Sequence, residues 1–187
     1  MGRKSDAGER LLAAGAELFG RRAYSSVGVA EICAAAGVPK GSFYYFFHSK
    51  QDLALSIVDT HWARQREQWV DILGQPGTAA DRIRELFVAT AQVQRDALAD
   101  AGVVAGCLFG NLALELSSTE PGVRARLEEI FDSQVQMIED ALGEGSHDLA
   151  TSVVAQLEGL VLMAKLRQDP SQVDAYWAPI ARMLTSS

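Results

Sequence analysis

Long apolar runs, cysteine, histidine and strand-like alternation are all scarce in this 187-residue chain. No stretch of about 18 consecutive apolar residues occurs, so no membrane-spanning helix is expected. The opening MGRKSDAGERLLAAGAELF interleaves charges with apolar residues, unlike a secretion signal. Cys33 and Cys107 are the two cysteines, and both fall in helical patterns. A secreted domain usually carries more bridges, so a cytoplasmic protein with two free thiols is expected. His48, His61 and His147 are far apart, and no Cys/His pair has metal-ligand spacing, so neither a metal nor another cofactor is expected. HExxH, GxSxG and the phosphate-cradling GxxxxGK[ST] are missing, so no catalytic residue is assigned and an enzyme is not expected. Weak period-2 alternation argues against a sheet.

What the chain does have is helical spacing. Leu11, Leu12, Gly15, Ala16, Leu18 and Phe19 make one face of a first helix that ends near Arg21-Arg22, where basic side chains suit the helix dipole. Ser25-Ser26 are expected to cap a second helix, which Ile32, Ala35 and Ala36 pack inward and Gly37 ends. Pro39 can open a third helix, anchored by Phe43 and Phe47 four residues apart. Ser49-Lys50-Gln51-Asp52 reads as a capping box starting a fourth helix that reaches about Leu73, a rod of about 35 Å. Further helices are expected over 78–101, 106–116, 121–142, 147–167 and 172–184. The expected fold is all-α with about nine helices: a three-helix helix-turn-helix domain over 1–47, then a helical effector-binding and dimerisation domain over 48–187.

Charge divides the chain in the same way. Residues 1–50 carry seven Lys/Arg against four acids, a net of +3, within a chain whose total is −7. A basic head on an acidic body suits a protein that meets DNA at one end. The stretch from Gly28 to Lys50 has the layout in which a second short helix enters the major groove.

The run ICAAAGVPKGSFYYFFHSKQDL resembles the recurring AAGVxKGxFYxxFxSKxxL pattern of the tetracycline-repressor (TetR) family of bacterial regulators. The resemblance is strong over about residues 8–55 and implies a cytoplasmic, ligand-responsive, dimeric regulator of transcription. GCLFGNLALELSS followed by PGVRARLEEIF is similar to a branch of that family in which some members respond to reactive electrophiles. The chain departs from the pattern at Tyr44-Tyr45-Phe46, where histidine is common, and at Val27-Gly28, where threonine is common.

On double-stranded DNA, Lys40 would reach guanine acceptors or a phosphate, and Gly41 would let the backbone come close. Ser42 would face a base edge, while Tyr44 and Tyr45 would offer hydroxyls to phosphates and rings to thymine methyls. Lys50 is placed for a phosphate clamp at a helix start, and Ser25 or Ser26 could add a hydroxyl contact. One such head reads few base pairs, so a homodimer on a palindromic operator is expected. Leu149, Val153, Leu157, Leu160, Val161 and Ala164 form the stripe expected at the dimer interface, with small Ala155 and Gly159 permitting close approach.

The body is rich in pocket-lining types. Trp62, Trp69, Phe87, Phe109, Met163 and Trp177 are expected to line an effector site, with Gln92, Arg95 and Asn111 as polar fixers. Arg95, if inward, would want a carboxylate, either that of Glu115 or a ligand's. Cys107 follows Gly106 at a helix start, where free N–H groups lower a thiol's pKa. The main expectation is a repressor released by a small-molecule effector. The alternatives are a thiol-based electrophile or redox sensor acting through Cys107, and a helical enzyme or binding protein with a vestigial head.

Overall fold

Apolar spacing and helix-end chemistry divide the chain into ten α-helical segments, with no strand among the described residues. The computed structural model describes residues 2–185. The helices are α1 (Gly2–Arg21), α2 (Val29–Ala36), α3 (Lys40–Phe46), α4 (Lys50–Leu73), α5 (Ala79–Ala101), α6 (Leu108–Leu116), α7 (Pro121–Leu142), α8 (His147–Arg167), α9 (Gln172–Ala175) and α10 (Trp177–Thr185), with a 3-10 turn at Tyr24–Ser26. The last expected helix is broken in two at Tyr176. Pro179 explains the break: its nitrogen cannot donate to the Ala175 carbonyl, and its ring would clash there.

Local signals set the other boundaries. Thr78 caps α5 through a reciprocal pair: its hydroxyl oxygen accepts the Asp81 N–H at 3.1 Å, and the Asp81 carboxylate accepts the Thr78 N–H at 3.2 Å. Gly37, at φ +62°, ends α2, with its N–H on the Ala34 carbonyl and the Val38 N–H on that of Cys33. Ser49 Oγ accepts the Asp52 N–H, while the Asp52 carboxylate takes the N–H of His48 rather than that of Ser49. Ser25 and Ser26 do not cap α2. They lie in the 3-10 turn, and Gly28 holds the cap position without a side-chain bond.

Two compact units result. One comprises everything up to Ala63 together with Leu108–Leu127; the other comprises Arg64–Cys107 and Glu128–Ser187. The first unit therefore does not end at residue 47. It takes the first half of α4, all of α6 and the start of α7. Gly15 shows why α4 belongs to it: a Cβ there would come within 2.8 Å of Ile57 Cδ1, so α1 and α4 touch closely. Phe109 of α6 is fully buried and meets the rings of His61 and Trp62 at centroid distances of 5.1 and 6.3 Å.

The second unit has its own core. Trp69, Ile83, Leu86, Phe87, Ala91, Val153, Leu157, Val161, Val173 and Ile180 are buried in one cluster. Phe87 meets Trp177 at 5.7 Å between ring centroids. The unit includes α8, which is long and apolar enough, by length and composition only, to cross a membrane, a test that a buried core helix also passes. Its face carrying Ala150, Val153, Val154, Leu157, Val161 and Ala164 is buried in this unit's core.

Candidate nucleic-acid interface and effector body

α3 sorts its side chains by helical spacing. Phe43 is completely buried and stacks at 5.8 Å on Phe47, which is also buried. Phe46 is half-buried, lying close enough to Gly8 that a Cβ there would sit 3.1 Å from its ring. Tyr44 and Tyr45 turn outward, 57% and 68% exposed. Lys40 and Gly41 are exposed beside them, and Ser42 is half-buried. A Cβ at Gly41 would meet nothing of this chain within 4 Å, so internal packing does not demand glycine there. An outward face of one ammonium, two phenols, a hydroxyl and open backbone can meet both phosphates and base edges.

Lys50, Ser25 and Ser26, expected as further DNA contacts, have hydrogen-bond partners within this chain. Lys50 Nζ donates to the carbonyls of Tyr24 and Val27, both at 3.0 Å, and sits 3.9 Å from the centre of the Tyr24 ring. Burial lowers its pKa, and the nearby Glu115 and Glu120 charges oppose the shift. Ser26 Oγ donates to the Ala23 carbonyl at 2.7 Å. Ser25 gives both its N–H and its hydroxyl to Glu115. Burial alone would push the Glu115 carboxyl up; the hydrogen bonds from Ser25 and Tyr24, with the Lys50 charge, outweigh it and hold the group below its ordinary value. Tyr24 is pushed up to about 12 by burial and by the Glu120 and Glu115 charges. Cys33 is buried in the same unit, and burial raises its thiol pKa against the pull of Lys40.

The expected effector residues fall in both units. Trp62, Phe109 and Asn111 belong to the first; Trp69, Phe87, Gln92, Arg95, Cys107, Met163 and Trp177 belong to the second. Trp69 and Phe87 are core, and Trp177 is half-buried. Gln92 is exposed, bonds Asp96 at 2.7 Å and lines a surface groove with Gln68, Ile72 and Glu85. Arg95 does find a carboxylate, but it is that of Asp174. Met163 lies on the outer side of α8.

Most of the stripe expected at the dimer interface is buried within this chain. Val153, Leu157, Val161 and Ala164 are buried within this chain, with Leu149 and Leu160 half-buried. The exposed arc of α8 carries Ala155, Gly159, Leu162 and Leu166, spaced to share one face. Leu162 is 55% and Leu166 75% exposed. A Cβ at Gly159 would meet nothing within 4 Å.

Comparison with known proteins agrees with this architecture. The family model for bacterial regulatory proteins of the tetR family matches residues 11–57. The model described as the C-terminal domain of LmrA/YxaF-like transcriptional regulators matches residues 83–176, half of the chain. The chain is 34% identical to the transcriptional regulator AcuR of Cereibacter sphaeroides, over 93% of this chain and 83% of that protein. This chain belongs to the TetR family of transcriptional regulators. It is also 28% identical to the transcriptional repressor NemR of Escherichia coli, over 75% of this chain and 69% of NemR. A solved structure of CifR, a cysteine mutant complexed with a 26 bp double-strand operator DNA, shares the fold, with a TM-score of 0.80 at 20% identity over 93% of this chain and 94% of that one.

Several polar residues of this TetR-family regulator escaped the sequence reading. Gln94 is 3% exposed; its side chain accepts the Gly106 N–H at 3.0 Å and donates to the Gly106 carbonyl at 3.4 Å. Gln168, at φ +53°, accepts the Val104 N–H at 2.8 Å and donates to the Val104 and Lys165 carbonyls. Two amides therefore staple the segment that leads to Cys107. Gln134 is buried and bonds Gln65 at 3.2 Å. Glu158 of α8 has its pKa raised by burial, opposed by a hydrogen bond with the Cys107 thiol. For Gln94 and Gln134 a signal existed: each interrupts an apolar stripe at a position where the helical period calls for a core residue.

Proposed function

We propose that this regulator is a cytoplasmic repressor that binds a palindromic operator as a homodimer and is released by a small-molecule effector. The observation that carries the reading is the outward face of α3, where Lys40, Gly41, Tyr44 and Tyr45 are exposed beside the half-buried Ser42, above the buried Phe43 and Phe47. The dimer forms through the outer arc of α8, around Gly159, Leu162 and Leu166. Exposed leucines beside open-faced small residues are what a second helix needs to approach closely. The effector favours a body conformation in which the two recognition helices no longer match successive grooves. A differential affinity of ~3 kcal/mol is enough for more than about 100-fold derepression.

Selection of random duplex DNA by the purified protein at moderate salt tests this reading. Enrichment of a palindrome with fixed half-site spacing is the expected result. No enrichment by folded dimeric protein rejects it.

A second reading has an observation of its own. Cys107 is half-buried, stands immediately before α6 and hydrogen-bonds a carboxyl on α8 that can receive its proton. In that reading the thiol reacts with electrophiles and no reversible ligand is needed. N-ethylmaleimide should then release wild-type protein from operator and leave Cys107→Ser bound; release of both rejects it.

A further inference from the structure

Glu115 lies far beyond residue 57, where the match to the DNA-binding family model ends, yet its carboxylate is bonded into the head. Oε1 accepts the Tyr24 N–H at 2.7 Å. Oε2 accepts the Ser25 N–H at 3.0 Å and the Ser25 hydroxyl at 3.1 Å. Lys50, at the start of α4, takes the carbonyls of Tyr24 and Val27. The segment Tyr24–Val27 is thus gripped by its N–H groups through α6 and by its C=O groups through α4. The turn is three residues long, and its own bonds run from Ser26 N–H and Oγ to the Ala23 carbonyl and from Val27 N–H to that of Tyr24. Arg22 donates to the Ser26 carbonyl and pairs with Glu31 of α2, which has no side-chain cap, so the Tyr24 and Ser25 N–H groups are the part of the turn that Glu115 holds. Tyr24 already has its ring against Phe19, at 5.1 Å between centroids, so the carboxylate adds orientation more than burial.

We propose that Glu115 is a positioning residue for DNA reading. By holding Tyr24 and Ser25 it sets the direction in which α2, and with it α3, leaves the 3-10 turn. This inference rests on the operator-reading function proposed above. It assigns Ser25 a role inside the head, because both Ser25 donors are taken by the carboxylate.

The test compares full-length wild type, Glu115→Gln and Glu115→Ala on two duplexes of equal length, one carrying the selected operator and one scrambled. Thermal melts accompany each protein. Glu115→Gln keeps the shape and one acceptor oxygen while the charge is lost, and the melts report whether the fold is retained. The expected result is a loss of operator affinity of about tenfold or more, larger for alanine, with scrambled-duplex affinity unchanged within about twofold. An equal loss on both duplexes, or a lower melting temperature with an unchanged operator-to-scrambled ratio, makes Glu115 structural and overturns the proposal. Tighter binding to both duplexes makes it a charge that repels DNA, and also overturns it. Wild-type protein that does not discriminate the duplexes fails the proposed function before any variant is compared, and this inference falls with it.

Discussion

Lys40 and Lys50 carry the same charge ten residues apart, and the fold gives them opposite employment. Lys40 is exposed on α3; Lys50 is half-buried and holds two backbone carbonyls. Lys40→Ala should weaken operator binding and reduce the slope of log affinity against log salt by about one, as loss of one phosphate contact does. Lys50→Ala should leave that slope unchanged and lower unfolding free energy by about 1.5–3 kcal/mol, the usual worth of hydrogen bonds to a charged group. Salt titrations and urea melts of the two variants separate these outcomes. Gly37 makes a smaller demand: at φ +62° a side chain is strained, so Gly37→Ala should cost about 1 kcal/mol in the same melts. The sequence could not distinguish the two lysines. Both lie near helix starts, and only the folded chain shows which one meets carbonyls.

At the scale of elements, the helices were legible and the outward face of α8 was not. The expected ranges 121–142 and 147–167 match α7 and α8, because apolar period and Gly/Pro breaks are local properties of the chain. The stripe expected at the dimer is the more continuously apolar arc of α8, and residues of α4, α5, α7, α9 and α10 of the same chain share the core in which most of it is buried. The arc left outside is built from Ala155, Gly159, Leu162 and Leu166. Gly159→Leu makes a test with opposed signs. In a lone chain it should favour α8 by about 0.5–1 kcal/mol through helix propensity, since open space surrounds the glycine. In a dimer packed on that arc the same side chain blocks approach. Sedimentation should therefore show dissociation of the variant, while its monomer melts no lower than wild type. A variant that stays dimeric places the interface elsewhere.

Across the whole molecule, two carboxyls pull the pH dependence of stability in opposite directions. Glu115 is held below its ordinary value, so its contribution is complete above the usual glutamate pKa of about 4.3 and is lost as pH falls through the folded value. Glu158 is raised by burial, so it subtracts stability as pH climbs from the ordinary value through the raised one. Glu158→Gln should melt with wild type near pH 4 and above it at pH 8. Glu115→Gln should lose less stability than wild type on acidification. Thermal melts from pH 3 to 8 check both; parallel curves for all three proteins would contradict the assigned shifts.

Capping residues, apolar periods and the spacing of glycine, lysine and aromatics act over a few residues. They therefore determined from the sequence alone that this chain is helical, that α3 presents Lys40, Tyr44 and Tyr45 away from Phe43 and Phe47, and that the head resembles that of TetR regulators. Tertiary structure decided what depends on partners distant in sequence. It decided that the first unit reaches to Ala63 and recruits α6, that Glu115 answers to Tyr24 and Ser25 some 90 positions away, that Arg95 answers to Asp174, and that the inner arc of α8 is core. A carboxylate's or an ammonium's role is set by whichever donors and acceptors lie within about 3 Å, and no local pattern encodes which ones those are.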